Sequence, residues 1–189
     1  MTTTPKTWRP LTLADLEGEL AGSDRWVLCG GHSVAVAVGR DTRTHGDIDV
    51  GVFRTDLREF LRMIGQDRVF LCRQGAHQKW DGADVPEDVH DIWVTSRDGG
   101  FWAFQIVVFD DDGEEVVYRR DRRIRWPKSS HACTVDGIRI LNPLVTFLFK
   151  VHRREPEEKD VHDVRELIRN WPNEPMAVDL PMKKERLKR

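Results

Sequence analysis

Residues 26–54 read WVLCGGHSVAVAVGRDTRTHGDIDVGVFR, and the hydrophobic period changes twice within them. Trp26 to Cys29 form an apolar run that predicts a buried strand. Gly30 and Gly31 end it, and HSVAVAVG predicts a small-residue helix stopping at Gly39. After a polar loop, DIDVGVFR predicts a second strand with Ile48 and Val50 turned inward. A strand that runs through two glycines into a helix lets backbone N–H groups approach an anion, and the helix N-terminus adds partial positive charge. Gly30 and Gly31 thus predict a phosphate cradle, to which Ser33 adds a hydroxyl. Asp47 and Asp49 leave the same face of an extended chain with Cα atoms roughly 6.5 Å apart at ~3.3 Å per residue. Their oxygens suit a hard divalent cation such as Mg²⁺, which keeps open positions for a triphosphate.

Outward from this stretch, TLADLEGELAG predicts an amphipathic helix capped by Thr12. Thr55 is positioned to cap a further helix with Leu57, Phe60, Leu61 and Ile64 on one stripe and Gly65 at its end. From Arg68 the pattern turns to strands: DRVFLCR, HDIWVTS, FWAFQIVVF, EEVVYRR and HACTVDGIRIL, with turn signals RDGG, DDDG and DG. After Pro143 come two helical stretches, LVTFLFKVHRR and EEKDVHDVRELIRN, the second broken by WPNEP. The fold class predicted is α/β (α+β) with a mixed sheet. Residues 1–142 are expected to form the core, 143–175 a small helical cap and 176–189 a flexible basic tail.

The chain has 189 residues, enough for one domain with a small appendage. Thirty Lys and Arg against thirty-two Asp and Glu leave a formal charge of -2, so any phosphate binding is local rather than driven by a global basic field. Cys29, Cys72 and Cys133 are too widely spaced for a disulfide framework or a CxxC metal site. No apolar run is long enough to span a bilayer, and MTTTPKTWRP lacks a secretory pattern, so a cytoplasmic location is expected.

Two adjacent glycines alone are mostly a turn, and an isolated DxD is more often a solvated strand face. Their order here, strand, GG, helix, then Thr42, Arg43, His45, Asp47, Ile48 and Asp49, resembles the nucleotidyltransferase superfamily that includes DNA polymerase β. It is most similar to the branch of aminoglycoside 2''-adenylyltransferases and lincosamide nucleotidyltransferases. The likeness extends through HDIWV, FWAFQIVVF, NPLVTFLFK and Lys159-Asp160-Val161-His162-Asp163. It implies ATP or another NTP as co-substrate, Mg²⁺ on Asp47 and Asp49, and transfer of NMP to a hydroxyl. Lys150 and Arg43 would balance triphosphate charge. The third carboxylate of such enzymes falls at Gln105, which has no charge and cannot act as a base. Asp91 on the neighbouring strand, or Asp110 to Asp112 at the strand end, is the substitute this chain offers, although DDDG reads more simply as a solvated turn. The acceptor implied is an antibiotic-like small molecule, with a tRNA or a protein side chain as the toxin-like alternative. A degenerate protein that binds NTP with little transfer is the other class that Gln105 admits.

Other features have plainer readings. Arg119, Arg120, Arg122, Arg123 and Arg125 suit a solvated edge strand at least as well as a phosphate or RNA contact. Lys159, Asp160 and Asp163 suit a helix-surface ion-pair set. The histidines show no zinc spacing.

Overall fold

The computed structural model describes Pro5 and residues 7–170. Along the chain the elements are α1 (Leu13–Leu20), β1 (Trp26–Cys29), α2 (Gly30–Val38), β2 (Asp49–Phe53), α3 (Arg54–Ile64), β3 (Val69–Arg73), β4 (Ala76–Lys79), β5 (Asp91–Thr95) and β6 (Trp102–Phe109). There follow β7 (Glu115–Val117), β8 (Arg125–Pro127), β9 (Ala132–Val135), β10 (Ile138–Leu141), α4 (Pro143–Val151) and α5 (Glu158–Arg169). This is a mixed α/β fold. The chain divides into two compact units, one of Met1–Trp26 and His45–Val108, the other of Val27–Thr44 and Phe109–Arg189. The expected basic tail, and the WPNEP break, lie outside the described residues.

In the first unit the strands are ordered β4-β3-β5-β6-β2. β5 is antiparallel to both neighbours, with Trp93 opposite Phe70 and Gln105, and Asp91 opposite Cys72 and Val107. One sheet face is apolar because alternate residues are: Ile92, Val94, Phe104 and Ile106 are fully buried, as are Ile48 and Val50. Burying each such side chain contributes about 1.5–3 kcal/mol. Thr12 caps α1 by accepting from the Asp15 N–H. α3 buries Leu57, Phe60, Leu61 and Ile64, but its N-cap is Phe53 and Thr55 lies inside the first turn. The chain passes from β2 into this helix without a loop, so no hydroxyl cap has room. Arg54 at the helix start instead donates to the carbonyls of Pro86, Glu87 and Val89, pinning that loop. β4 was not anticipated; the β3–β4 hairpin turns on Gln74 and Gly75, both at positive φ (50° and 79°), the conformation of a tight two-residue turn.

In the second unit β1 is parallel to β10 and β10 antiparallel to β9, in the order β1-β10-β9, while β7 pairs with β8. Asp136 and Gly137, at φ 49° and 84°, make the β9–β10 turn. α4 is capped by the Asn142 side chain with Pro143 in its first turn, and α5 opens on a capping box between Glu157 and Asp160. The arginine-rich segment is not one edge strand: Arg125 alone lies in β8, and Arg119 to Arg123 occupy turns. The turns form because Asp121 accepts from both the Arg123 backbone and its guanidinium, a local alternative to pairing. Cys29, Cys72 and Cys133 form no disulfide. Among the described residues no helix is long and apolar enough to cross a membrane.

Candidate active site

In the first unit the DID segment enters β2, which starts at Asp49; Asp47 and Ile48 are its lead-in. Ile48 is fully buried and holds the segment down, while Asp47 and Asp49 on either side are half-buried. The carbonyl of Ile48 accepts the backbone N–H of Gln105 at 2.9 Å, so β6 lies against the backbone between the two aspartates. Gln105 is half-buried, and its side-chain amide donates to Asp91 Oδ1 at 3.0 Å across the β5–β6 pair. That bond leaves the amide oxygen, a neutral ligand atom, as the free end of the side chain. Opposite Asp91, burial and then the Asp91 charge push the Cys72 thiol up to about 12, so it is no nucleophile at neutral pH.

In the second unit β1 delivers the chain to Gly30, whose φ of 64° lies in the left-handed region where a side chain is strained. Gly30 is the first residue of α2, and the N-cap Cys29 gives no side-chain cap, leaving the first-turn amides without that partner. Ser33 is buried, at 1% exposure, and its hydroxyl donates to the Gly30 carbonyl at 2.9 Å. It shapes the glycine turn from inside. Gly31 is half-buried beside it.

The loop carrying Arg43 is tied to α5. Arg43 Nε and Nη2 both donate to the Asp163 carboxylate at 2.9 Å, in the two-pronged geometry a guanidinium favours. Lys150 reaches Asp163 at 2.7 Å and Asp160 at 3.2 Å, and Arg153 reaches Asp160 at 2.7 Å. Arg40 pairs with Glu166, and His162 Nε2 lies 3.1 Å from the Thr42 carbonyl. Asp163 is wholly buried, Lys150 is 11% and Arg43 19% exposed. Burial alone would raise the Asp163 pKa; hydrogen bonds from Arg43 and Lys150 outweigh it and hold the carboxyl below its ordinary value. Asp160 is likewise lowered, against its burial, by the Lys150 charge and the Glu157 N–H. Asp160 and Asp163 are therefore not a surface ion-pair set. The i, i+3 spacing places both on the face of α5 with buried Glu166 and Leu167, a pattern visible in the sequence had the acids been counted with the apolar stripe.

Among the described residues no group of three or more His, Cys, Asp or Glu side chains comes together as a metal site. What the DID segment offers a cation is two half-buried aspartates either side of Ile48, an oxygen pair incomplete by itself. That fits Mg²⁺, which keeps waters and substrate phosphates in its shell, better than an ion needing a full protein cage.

The fold is that of the nucleotidyltransferases. The chain matches the solved structure of the lincosamide antibiotic adenylyltransferase LnuA, lincomycin-bound, over 85% of its own length and 98% of that chain, with a TM-score of 0.56 and 15% identity. Also similar are ANT(2")-Ia in complex with adenylyl-2"-tobramycin (84% and 88% covered, TM-score 0.49, 14% identity) and an antigenic nucleotidyltransferase-like protein from Paracoccidioides brasiliensis (83% and 73%, 0.46, 13%). At such identities the likeness is one of fold. No family model and no curated protein matches the sequence.

Proposed function

We propose that this protein is a nucleotidyltransferase that moves an NMP group from Mg-NTP, ATP in the first instance, to a hydroxyl of a small antibiotic-like acceptor. The observation that supports it most is in the first unit: Ile48, between Asp47 and Asp49, accepts the Gln105 N–H, and the Gln105 amide is bonded to Asp91. Asp47 and Asp49 are the proposed Mg²⁺ ligands, with Gln105 Oε1 as a neutral third oxygen. When bound, the ion offsets triphosphate charge. Asp91, the one carboxylate of β5 and β6, is assigned to take the acceptor proton, its other oxygen anchored by Gln105. The first-turn amides at Gly30 and Gly31 are assigned to phosphate oxygens, and Ser33 to holding that turn. Arg43 and Lys150 are the proposed cationic contacts to the triphosphate, in competition with Asp163.

The test is a titration of ATP with and without Mg²⁺ into wild type and Asp47→Asn, followed by incubation of labelled NTPs with lincosamides, aminoglycosides and total tRNA. Mg²⁺-dependent binding lost in Asp47→Asn, with pyrophosphate released only when a small acceptor is present, is the expected result. Equal, metal-independent affinity in both proteins overturns the reading, and label on tRNA moves the acceptor to RNA. The neutral Gln105 favours one second reading, a protein that holds Mg-NTP without transferring it; binding without pyrophosphate release against any acceptor is its signature.

A further inference from the structure

The second unit carries an open cavity of about 790 Å³ on its surface that none of the assigned roles uses, lined by the exposed residues Arg120, His152, Arg153, Arg154, Glu155 and Glu157, with Pro156. Its volume suffices for a small molecule, but its open, charged lining suits a polar ligand held by ion pairs rather than one enclosed by apolar walls. Three guanidiniums and an imidazole border it. Arg153 is already matched, by Glu157 at 2.8 Å and Asp160 at 2.7 Å. Arg120 and Arg154, by contrast, have no carboxylate within ion-pair distance among the described residues.

Arg120 is also held in place. Its guanidinium lies over the Phe149 ring, 5.4 Å from the centroid, and one N–H donates to the Phe149 carbonyl at 2.5 Å. A guanidinium carries five N–H donors, so this anchoring leaves most of the fork for a ligand while removing much of its rotational freedom. The His152 ring is packed 5.5 Å from that of Tyr118, which is fully buried. A guanidinium fork takes either a carboxylate or a phosphate, and two unmatched forks on one cavity favour the anion with more acceptor oxygens, which is phosphate. Glu155, also without a cationic partner among the described residues, and Glu157 accept hydrogen bonds. They therefore oppose a bare polyanion and favour a ligand that brings hydroxyl donors beside its phosphate.

We propose that this cavity binds a hydroxyl-bearing phosphate monoester, of the class of sugar phosphates and nucleoside monophosphates. Arg120 and Arg154 grip the phosphate, and Glu155 and Glu157 receive its hydroxyls. The inference does not rest on nucleotidyl transfer, and the glycine turn can be disabled separately to keep the two apart.

The experiment follows arginine Nε–Hε resonances by NMR while the intact chain is titrated with ribose 5-phosphate, AMP, inorganic phosphate and, at matched ionic strength, sodium chloride. Arg120→Gln, Arg154→Gln and Gly30→Val are run beside wild type. Saturable shifts at Arg120 and Arg154 are expected, tighter for ribose 5-phosphate or AMP than for inorganic phosphate, unchanged in Gly30→Val. Loss of one charge-assisted contact in Arg120→Gln should weaken binding ~10-fold. The stronger of the two organic ligands identifies the source of the phosphate. Shifts that grow linearly and are reproduced by chloride, or an affinity that Arg120→Gln and Arg154→Gln both leave unchanged, overturn the proposal. Because both arginines are on the cavity surface, a retained unfolding midpoint shows that each variant is folded.

Discussion

Replacing Asp163 by asparagine keeps the shape of the side chain and removes one charge from a place with no water to replace it. Asp163 is wholly buried and takes both prongs of Arg43 and the Lys150 ammonium, which are themselves 19% and 11% exposed. The substitution leaves two neighbouring cations facing a neutral amide. Breaking a buried pair by removing one partner costs about 3–5 kcal/mol, because the other charge stays buried. For a chain of this size a kilocalorie shifts the melting midpoint by about 2–4 °C, so a fall of about 6–20 °C is expected. Thermal unfolding at pH 7 measures the midpoint and urea unfolding the free-energy loss, each followed by circular dichroism and by tryptophan fluorescence. Adding Lys150→Met to Asp163→Asn should recover part of the loss, since the stranded ammonium is then gone. The pH dependence has a definite sign. Asp160 and Asp163 titrate below their ordinary value of 3.8 in the fold, so their contribution is full above that pH and disappears as pH falls through the lowered folded values. A single-variant loss under about 1 kcal/mol at unchanged slope would refute the reasoning. It would mean that the cost of burying these charges already cancels their attraction.

His131, almost wholly buried against Trp126, is pushed down to about 3 by burial and then by the charges of Arg139 and Lys128. The unfolded chain therefore binds a proton near 6.5 that the fold refuses, and stability should fall as pH drops from 6.5 toward 3, by ~1.4 kcal/mol per unit near pH 5 from this group. His131→Gln should flatten that slope in urea titrations at pH 5 and 7; equal slopes in both proteins contradict it. Gly30→Val forces a β-branched residue to a φ of 64° and should cost about 1–3 kcal/mol while abolishing ATP binding; unchanged ATP affinity in a folded variant removes the glycine turn from the site. Gln105→Glu places a second carboxylate beside Asp91, so calorimetry should find tighter Mg²⁺ binding at pH 8 than in wild type and one carboxyl titrating upward. No gain in Mg²⁺ affinity would place Gln105 outside the metal's reach.

Where one segment carries its own signal, the sequence was legible. Thr12 before LADLEGEL, the four-residue stripe of α3 and the strand, glycine pair and helix from Trp26 to Val38 all reflect local periodicity, and the structure has them. β4 was missed because AHQK has no apolar alternation; it pairs through its backbone, and only Gln74-Gly75 announced the turn. β8 was hidden within an arginine run whose charges masked Trp126, which is buried. The aspartates of the DID segment were readable as a pair. The attachment of Arg43 was not, since its partner Asp163 lies 120 positions away and long-range ion pairs leave no periodic trace. Ser33 looked like a phosphate contact because hydroxyls near glycine turns often are; its burial depends on packing that no local pattern encodes.

The two units are threaded through each other along the chain: residues Val27–Thr44 belong with a body completed only after Phe109. A protein emerging from a ribosome thus makes β1 and α2 long before β10, α4 and α5, the later elements of the same unit. Leu28 pairs with Ile140, and at ~5–20 residues per second the delay is roughly 6–22 s. Throughout that interval β1 lacks its parallel partner β10, and α2 lacks β10, α4 and α5, the elements of its own unit that it packs against. No single cut in the chain separates one unit from the other, and a shortened version ending before β10 would keep β1 and α2 but lose β10, α4 and α5, leaving apolar surface of α2 uncovered rather than giving a smaller working domain.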